Sequence, residues 1–305
     1  MRATVDWPDV KAPIREALAA RRPVVALESA LITHGFSAPA NLKIAQRIEA
    51  AVQEEGAVPA TIAVLDGVPH IGLSAEQLER LGSPGNLLRK TSLRDLPIVA
   101  AQRVSGGTTV AATMHLAQWA GIGVLATGGI GGVHRDHSED ISSDLTALGS
   151  IPITVVCSGA KAILDLSRTL EVLETKGVPV VGYGTADFPA FYSRRSGLKV
   201  DVAAETPADV ARLARMRIQL GLSTAILVCA PVPEEEALPP QEIEAAITTA
   251  VAQAEAAGIS GKDLTPFLLT RVVELTQGRA QRANEALLVN NARVAARIAQ
   301  ALIDG

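Results

Sequence analysis

Short runs of β-branched and aliphatic residues alternate along the chain with longer stretches whose apolar positions recur every three or four residues. VVALES (24–29), IGVLAT (122–127), ITVVC (153–157), VPVVGYG (178–184) and AILVCAP (225–231) are apolar on successive residues, as in strands covered on both faces. PIVAA (97–101) reads as another such run, leading through Ser105-Gly106-Gly107 into a helix that ends near Gly121. TIAVLDG and VPHIGL (61–73) carry a hairpin pattern about Asp66-Gly67. Helical periodicity runs from Pro39 to Glu55, with Ile44, Ile48 and Val52 on one face and Gly56 as the stop. It returns from about Ala160 to Lys176 and over 206–220. Beyond Pro240 the pattern is helical only, over 240–257, 262–277 and 280–302. Buried strands each followed by a helix predict an α/β fold. The expectation is a three-layer α/β/α sandwich around a mainly parallel mixed sheet, with a helical C-terminal segment, in one domain spanning 1–305.

Composition narrows the function. Of 305 residues 48% are hydrophobic and 20% charged, enough for a sizeable core and too apolar for a disordered chain. A net charge of −4 argues against nucleic-acid polymers, which demand clustered positive charge. Four Phe, two Trp and two Tyr leave few platforms for stacking on single strands. A small nucleotide substrate remains allowed. No apolar run approaches the roughly 18 residues of a membrane span, and MRATVDWPDVK carries charges where a signal peptide needs its apolar stretch. A cytoplasmic protein with no membrane partner is expected. Cys157 and Cys229, in separate apolar runs, are expected as buried free thiols.

Three motifs imitate known sites and fail on spacing. GGIGGVHR follows a strand, but His134 stands where a dinucleotide loop needs its third glycine, which leaves a flexible glycine turn. His134-Arg135-Asp136 lacks the glycine loop and strand lysine of a kinase, and Gly261-Lys262 lacks the rest of a P-loop.

Other positions carry chemistry. Glu28 ends the apolar run VVALE, where a carboxyl group is costly when ionised; it suits a general acid, or else caps the next segment. Lys161 of CSGAK is placed by the periodicity in the first turn of a helix. The dipole and desolvation there would disfavour its charge, giving either an amine nucleophile or a lysine that reaches solvent. His134 to Asp140 packs two imidazoles and three carboxylates into one loop, either a solvated turn or a site at a strand end. Asp140-Ile-Ser142-Ser143-Asp144 can open a helix with Ser142 as cap, an arrangement that suits a Mg2+- or Mn2+-type ion better than zinc. Ser105 to Val110 is a second helix start, whose amides could cradle a phosphate with Lys90 nearby.

Taken together, VALESALITHGF, GGTTVAAT, ATGGIGGVHR, DISSDL, VVCSGAKAILD and NNARVAARIA, in that order, resemble the pseudouridine-5′-phosphate glycosidase family, also called indigoidine synthase A-like. The resemblance covers roughly residues 20 to 300. It implies a manganese-dependent homotrimer, with one Mn2+ per subunit, that reversibly cleaves pseudouridine 5′-phosphate to uracil and ribose 5-phosphate. Position by position, it implies Glu28 as proton donor, Lys161 as nucleophile and Asp140 as metal ligand. Lys90, Val110, Ser142, Ser143, Asp144 and, by a looser match, Asn284 are implied as substrate contacts. Two departures stand out: the stretch between Arg135 and Asp140 is shorter than in the family, and Leu93 replaces a common arginine.

The bond at stake joins the ribose anomeric carbon to C5 of uracil. Its simple departure leaves a poor carbanion, so the paired carboxylates of ordinary glycosidases do not suffice. The resemblance implies that Glu28 protonates the ring oxygen as the sugar opens and that Lys161 adds to the anomeric carbon. Protonation at C5 then releases uracil as an imine forms, and water hydrolyses that imine. The alternatives are a metal-dependent hydrolase built on the His134-to-Asp140 loop, an N-ribohydrolase acting on another nucleotide, and a nucleotide-binding protein without catalysis.

Overall fold

The computed structural model describes residues 7–85, 88–135, 139–259 and 264–304. Its strands are β1 (Asp9–Val10), β2 (Val24–Leu27), β3 (Val58–Leu65), β4 (Val68–Ile71), β5 (Arg89–Thr91), β6 (Gly106–Thr108) and β7 (Val124–Ala126). They continue as β8 (Val133–His134), β9 (Thr154–Cys157), β10 (Leu164–Asp165), β11 (Val180–Tyr183), β12 (Val202–Ala204) and β13 (Ile226–Cys229). The main sheet runs β1-β4-β3-β2-β7-β9-β13-β11-β12, with β6 on β3 and β5 on β6. Among the described residues of this sheet, β3 runs antiparallel to β4 and to β6, and the other pairings are parallel. β8 and β10 form a separate antiparallel pair. This is the mixed, mainly parallel sheet that the apolar runs predict, and its central strands are buried at every residue.

The helices are α1 (Ala12–Ala19), α2 (Ala40–Glu54), α3 (Ala75–Gly82), α4 (Leu96–Gln102), α5 (Val110–Trp119), α6 (Ser143–Leu148), α7 (Leu166–Thr175), α8 (Pro207–Gln219), α9 (Pro240–Ala256), α10 (Leu264–Leu275) and α11 (Arg279–Ile303). A short π-helix, Leu31–Gly35, follows β2. α11 lies along β2, β7 and β9 between α2 and α8, while α5 covers β2 and β3 and packs on α6. One continuous apolar core joins sheet and helices from Ile14 to Ala299. Among the described residues no helix is long and apolar enough to cross a membrane.

Two sequence expectations are overturned. PIVAA is helix, within α4: Pro97 sits in its first turn, where a missing amide proton costs nothing. The strand in that region is instead Gly106–Thr108, a polar and glycine-rich segment. The second correction concerns Lys161. The helix expected from Ala160 starts only at Leu166, with Asp165 capping it by accepting from the Arg168 amide at 3.0 Å. Ala162, Ile163 and Leu164 are buried, and Leu164-Asp165 pairs with Val133-His134 in extended form.

Cys157 and Cys229 are register partners on the adjacent strands β9 and β13. Both are free and buried, with sulfurs 3.9 Å apart. Burial and the neighbouring sulfur push the Cys229 thiol well up.

Candidate active site

The parallel register brings three strand ends together. Leu27 pairs with Ala126 and Ala126 with Val156, one residue before β9 ends, so the first residues beyond the three strands, Glu28, Thr127 and Ser158, share the carboxyl edge of the sheet. Sites in open α/β sheets gather at that edge.

Glu28 is buried and accepts a hydrogen bond from the Thr127 hydroxyl. Leu31, Ile32, Ile48 and Leu288 wall a cavity of about 10 Å3 beside these two side chains, room for about one water. Burial in this apolar setting pushes the Glu28 pKa up. Lys161, Thr127 and Lys90 pull against the rise, and Asp144 adds to it. Glu28 is therefore held toward its protonated form, as the position of the carboxyl in the sequence predicts.

Lys161 is half-buried on the irregular segment between β9 and β10. Its amide donates to the Ile130 carbonyl at 3.1 Å, and Ile130 donates back to Gly159 at 3.1 Å. Arg135 holds the far side of this segment, donating to the Ala162 carbonyl at 3.0 Å and to Leu164 at 3.3 Å, and reaching Glu244 on α9. With no helix at Lys161, the dipole invoked for it is absent. Its electrostatic company is Glu28 and Lys90.

Lys90, on β5, is exposed along much of its surface. Burial around its ammonium, and then the charge of Lys161, push its pKa down, while Asp144 and Glu28 hold it up. Close by, in the π-helix, His34 is lowered by burial and by Lys90, with its Nδ1 2.6 Å from the Thr33 hydroxyl. His34, Thr127 and Arg135 are contributors that the sequence reading did not assign. The irregular turn of helix at Leu31–Gly35 is not legible in residue spacing, and Arg135 stood out only as part of a false kinase motif.

Ser142 caps α6 as expected, accepting from the Asp144 amide at 3.2 Å. Asp144 is buried and its two oxygens take the amides of Ala111 at 3.0 Å and Gly131 at 2.8 Å. Within the segment proposed to cradle a phosphate, the Thr108 amide already donates to the Ser29 hydroxyl at 2.9 Å and the Thr109 amide to the Thr91 carbonyl at 2.9 Å. Val110 opens that helix and is buried. Ser143 meets Ser92 at 2.7 Å, tying α6 to the segment after β5. Leu93 packs against the core, and Arg89 on β5 is bonded to Asp95 at 2.7 Å.

The glycine-rich loop after β7 is buried and closely packed. Gly128, Gly129, Gly131 and Gly132 all lack positive φ. A methyl group on Gly131 would lie 2.1 Å from the Ser142 hydroxyl and 2.9 Å from Asp144. These glycines permit close packing. Asn284, on α11, reaches the same loop: its Oδ1 would lie 3.5 Å from a methyl group on Gly128.

Asp140 stands apart from the buried cluster. Its side chain is 51% exposed, with a carboxylate oxygen 3.9 Å from His134 Nε2. Its carbonyl accepts from the His134 amide at 3.1 Å, closing the loop. Asp136, His137 and Ser138 lie outside the described residues, as does Lys262. Among the described residues no group of three His, Cys, Asp or Glu side chains could hold a metal. A lone accessible carboxylate fits an ion that keeps most of its waters, such as Mg2+ or Mn2+, and does not fit zinc.

Glu28, Lys90, Asp144 and Lys161 thus form one electrostatically coupled group of two acids and two amines. Such a group can protonate one atom of a ligand and offer an amine to another.

The family described as "Indigoidine synthase A like protein" matches residues 13–301. A pseudouridine-5′-phosphate glycosidase of Paracoccus denitrificans is 56% identical over 290 residues, covering 94% of this chain and 95% of that protein. One from Sorangium cellulosum is 52% identical, covering 97% and 94%. Among solved structures, the prealnumycin C-glycosynthase AlnA in complex with ribulose 5-phosphate superposes with a TM-score of 0.90. It is 40% identical, with 98% of each chain covered. An indigoidine synthase A-like protein from Thermotoga maritima gives 0.88 at 36% identity, covering 97% and 96%.

Proposed function

The chain belongs to the indigoidine synthase A-like family, and from that premise we propose that it reversibly cleaves pseudouridine 5′-phosphate to uracil and ribose 5-phosphate. It is a C-glycoside-cleaving enzyme of nucleotide metabolism. The observation that carries this reading is a glutamic acid held toward its protonated form, beside a half-buried lysine, at the carboxyl ends of adjacent strands.

In the proposed reaction Glu28 gives its proton to the ribose ring oxygen as the C1′–O bond breaks. The ring oxygen keeps the C1′–O electron pair with that proton. The uracil ring supplies the electrons that form C1′=C5 as N1 gives its proton to solvent. The unprotonated Lys161 amine then bonds to C1′ as the C1′=C5 pair returns to the ring. A proton delivered to uracil C5 then allows the C1′–C5 bond to break. The lysine nitrogen supplies the electron pair that becomes the C=N bond of an imine, and water hydrolyses this imine to ribose 5-phosphate and free lysine. Lys90 would meet the phosphate, with Ser142, Ser143 and Val110 as further substrate contacts. Asn284, which reaches Gly128, would be a further substrate contact. Asp144 braces the loops from which these groups project. Asp140 would hold one Mn2+, which when bound supplies positive charge and acidified water at the mouth. The working protein is proposed to be a cytoplasmic homotrimer.

The test is mass spectrometry of free uracil released from pseudouridine 5′-phosphate, with Mn2+ and after chelation. Uridine 5′-phosphate serves as the N-linked control. Lys161→Ala is expected to lower turnover by at least about 10^4-fold with the fold intact, and borohydride with substrate is expected to label Lys161. Label at another residue, or turnover that survives the substitution, would overturn the assignment. Loss on His134→Ala but not on Lys161→Ala would favour the metal-dependent hydrolase.

A further inference from the structure

Asn291 is 0% exposed, on the apolar face of α11 between Leu288 and Ala292, about two turns beyond Asn284. Its hydrogen-bond partners lie outside its own helix. Nδ2 donates to the Thr127 carbonyl at 2.9 Å and to the Ser158 hydroxyl at 3.1 Å, with the Gly128 carbonyl at 3.4 Å. Oδ1 lies 3.3 Å from the Ser158 hydroxyl. Carbonyl oxygens only accept, so the two carbonyls fix which end of the amide faces the strands.

These partners are the first residues beyond β7 and β9. Thr127 donates its hydroxyl to Glu28. Ser158 opens the segment that carries Lys161, and its amide is bonded to Gly128 at 2.8 Å. One side chain, remote in sequence, therefore touches both the support of the acid and the root of the lysine segment. An apolar residue would fill this place in the core without needing partners. A buried amide is tolerated only where every polar atom is matched, so its bonds demand one relative placement of the two strand ends.

We propose that Asn291 is a positioning residue that sets Glu28 and Lys161 relative to each other. This rests on the glycosidase reading above. Misplacing reacting groups by about 1 Å costs on the order of 100-fold in rate. Substrate contacts through Lys90 and Ser143 arise from other elements and are spared.

The experiment measures kcat and KM for uracil release, with thermal melting and circular dichroism, in Asn291→Ala and Ser158→Ala. A 13C NMR titration of Glu28 accompanies them. For Asn291→Ala a fall in kcat of about 100-fold is expected, with KM changed less than about threefold and the Glu28 titration midpoint moved. Ser158→Ala, which severs one link and leaves Thr127 held, is expected to fold and to lose about 10-fold in kcat. A folded Asn291→Ala protein with unchanged kcat and an unmoved Glu28 overturns the proposal. If Asn291→Ala does not fold, Ser158→Ala decides in the same way. A wild type that releases no uracil sinks the functional reading instead. The Glu28 titration still decides the placement role, a moved midpoint supporting it and an unmoved one overturning it.

Discussion

A carboxyl group walled by Leu31, Ile48 and Leu288 is cheaper to keep neutral than ionised, and the chemistry proposed for Glu28 depends on that preference. Its raised pKa has a definite sign in the stability of the protein. A carboxyl whose pKa is higher folded than unfolded favours folding fully below the ordinary glutamate value, and that contribution is lost as pH rises through the folded pKa. Glu28→Gln removes the loss. The variant is expected to melt higher than the wild type at pH 7 to 8, and the difference should shrink toward pH 4; a melting series across that range checks it. Turnover moves the other way. The proton donor is needed in its acid form, so wild-type kcat/KM should fall on the alkaline side as Glu28 ionises, and Glu28→Gln should lose at least about 100-fold in kcat with little change in substrate binding. A stabilised but inactive variant would distinguish a catalytic acid from a structural one. Asp140 behaves differently: it is half exposed, so Asp140→Asn should leave the melting temperature nearly unchanged while raising the Mn2+ concentration needed for uracil release.

The site is built from strand ends and the loops that leave them. The glycine-rich loop after β7 brings its backbone against Ser142, Asp144 and Thr169, where side chains would collide. Gly131→Ala is expected to destabilise the protein by about 1–3 kcal/mol, through the overpacking a displaced Ser142 and Asp144 would require. It should also weaken substrate binding, because both residues brace the mouth. Thermal melting and the KM for uracil release measure the two effects. The elements that the sequence misjudged are instructive. AKAILDL satisfies helical spacing as well as strand spacing, and pairing with β8, far back in the chain, decided for the extended form. GGT at 106–108 has no apolar signature, and becomes a strand because β3 and β5 offer it partners. Periodicity reports burial, and these segments take their form from hydrogen bonds to distant chain.

At the scale of the molecule, the proposal extends to assembly. A homotrimer is expected, and light scattering on the purified protein should give three times the mass of one chain, independent of added Mn2+. The rest divides by physical cause. Which strands are buried on both faces, that helices follow them, and that Glu28 closes an apolar run are local properties, so the residues alone determined the α/β architecture and singled out the acid. Lys161, Asp140 and Ser142 to Asp144 were singled out as candidates by the long distinctive strings that hold them. What the residues did not reveal is how the strand ends meet. The field that Glu28, Lys90, Asp144 and Lys161 share, the bonds from Arg135 to the lysine segment and the buried amide of Asn291 all join positions far apart in the chain. Each depends on parallel register, which brings together residues that no local pattern connects, and only the folded sheet supplies it.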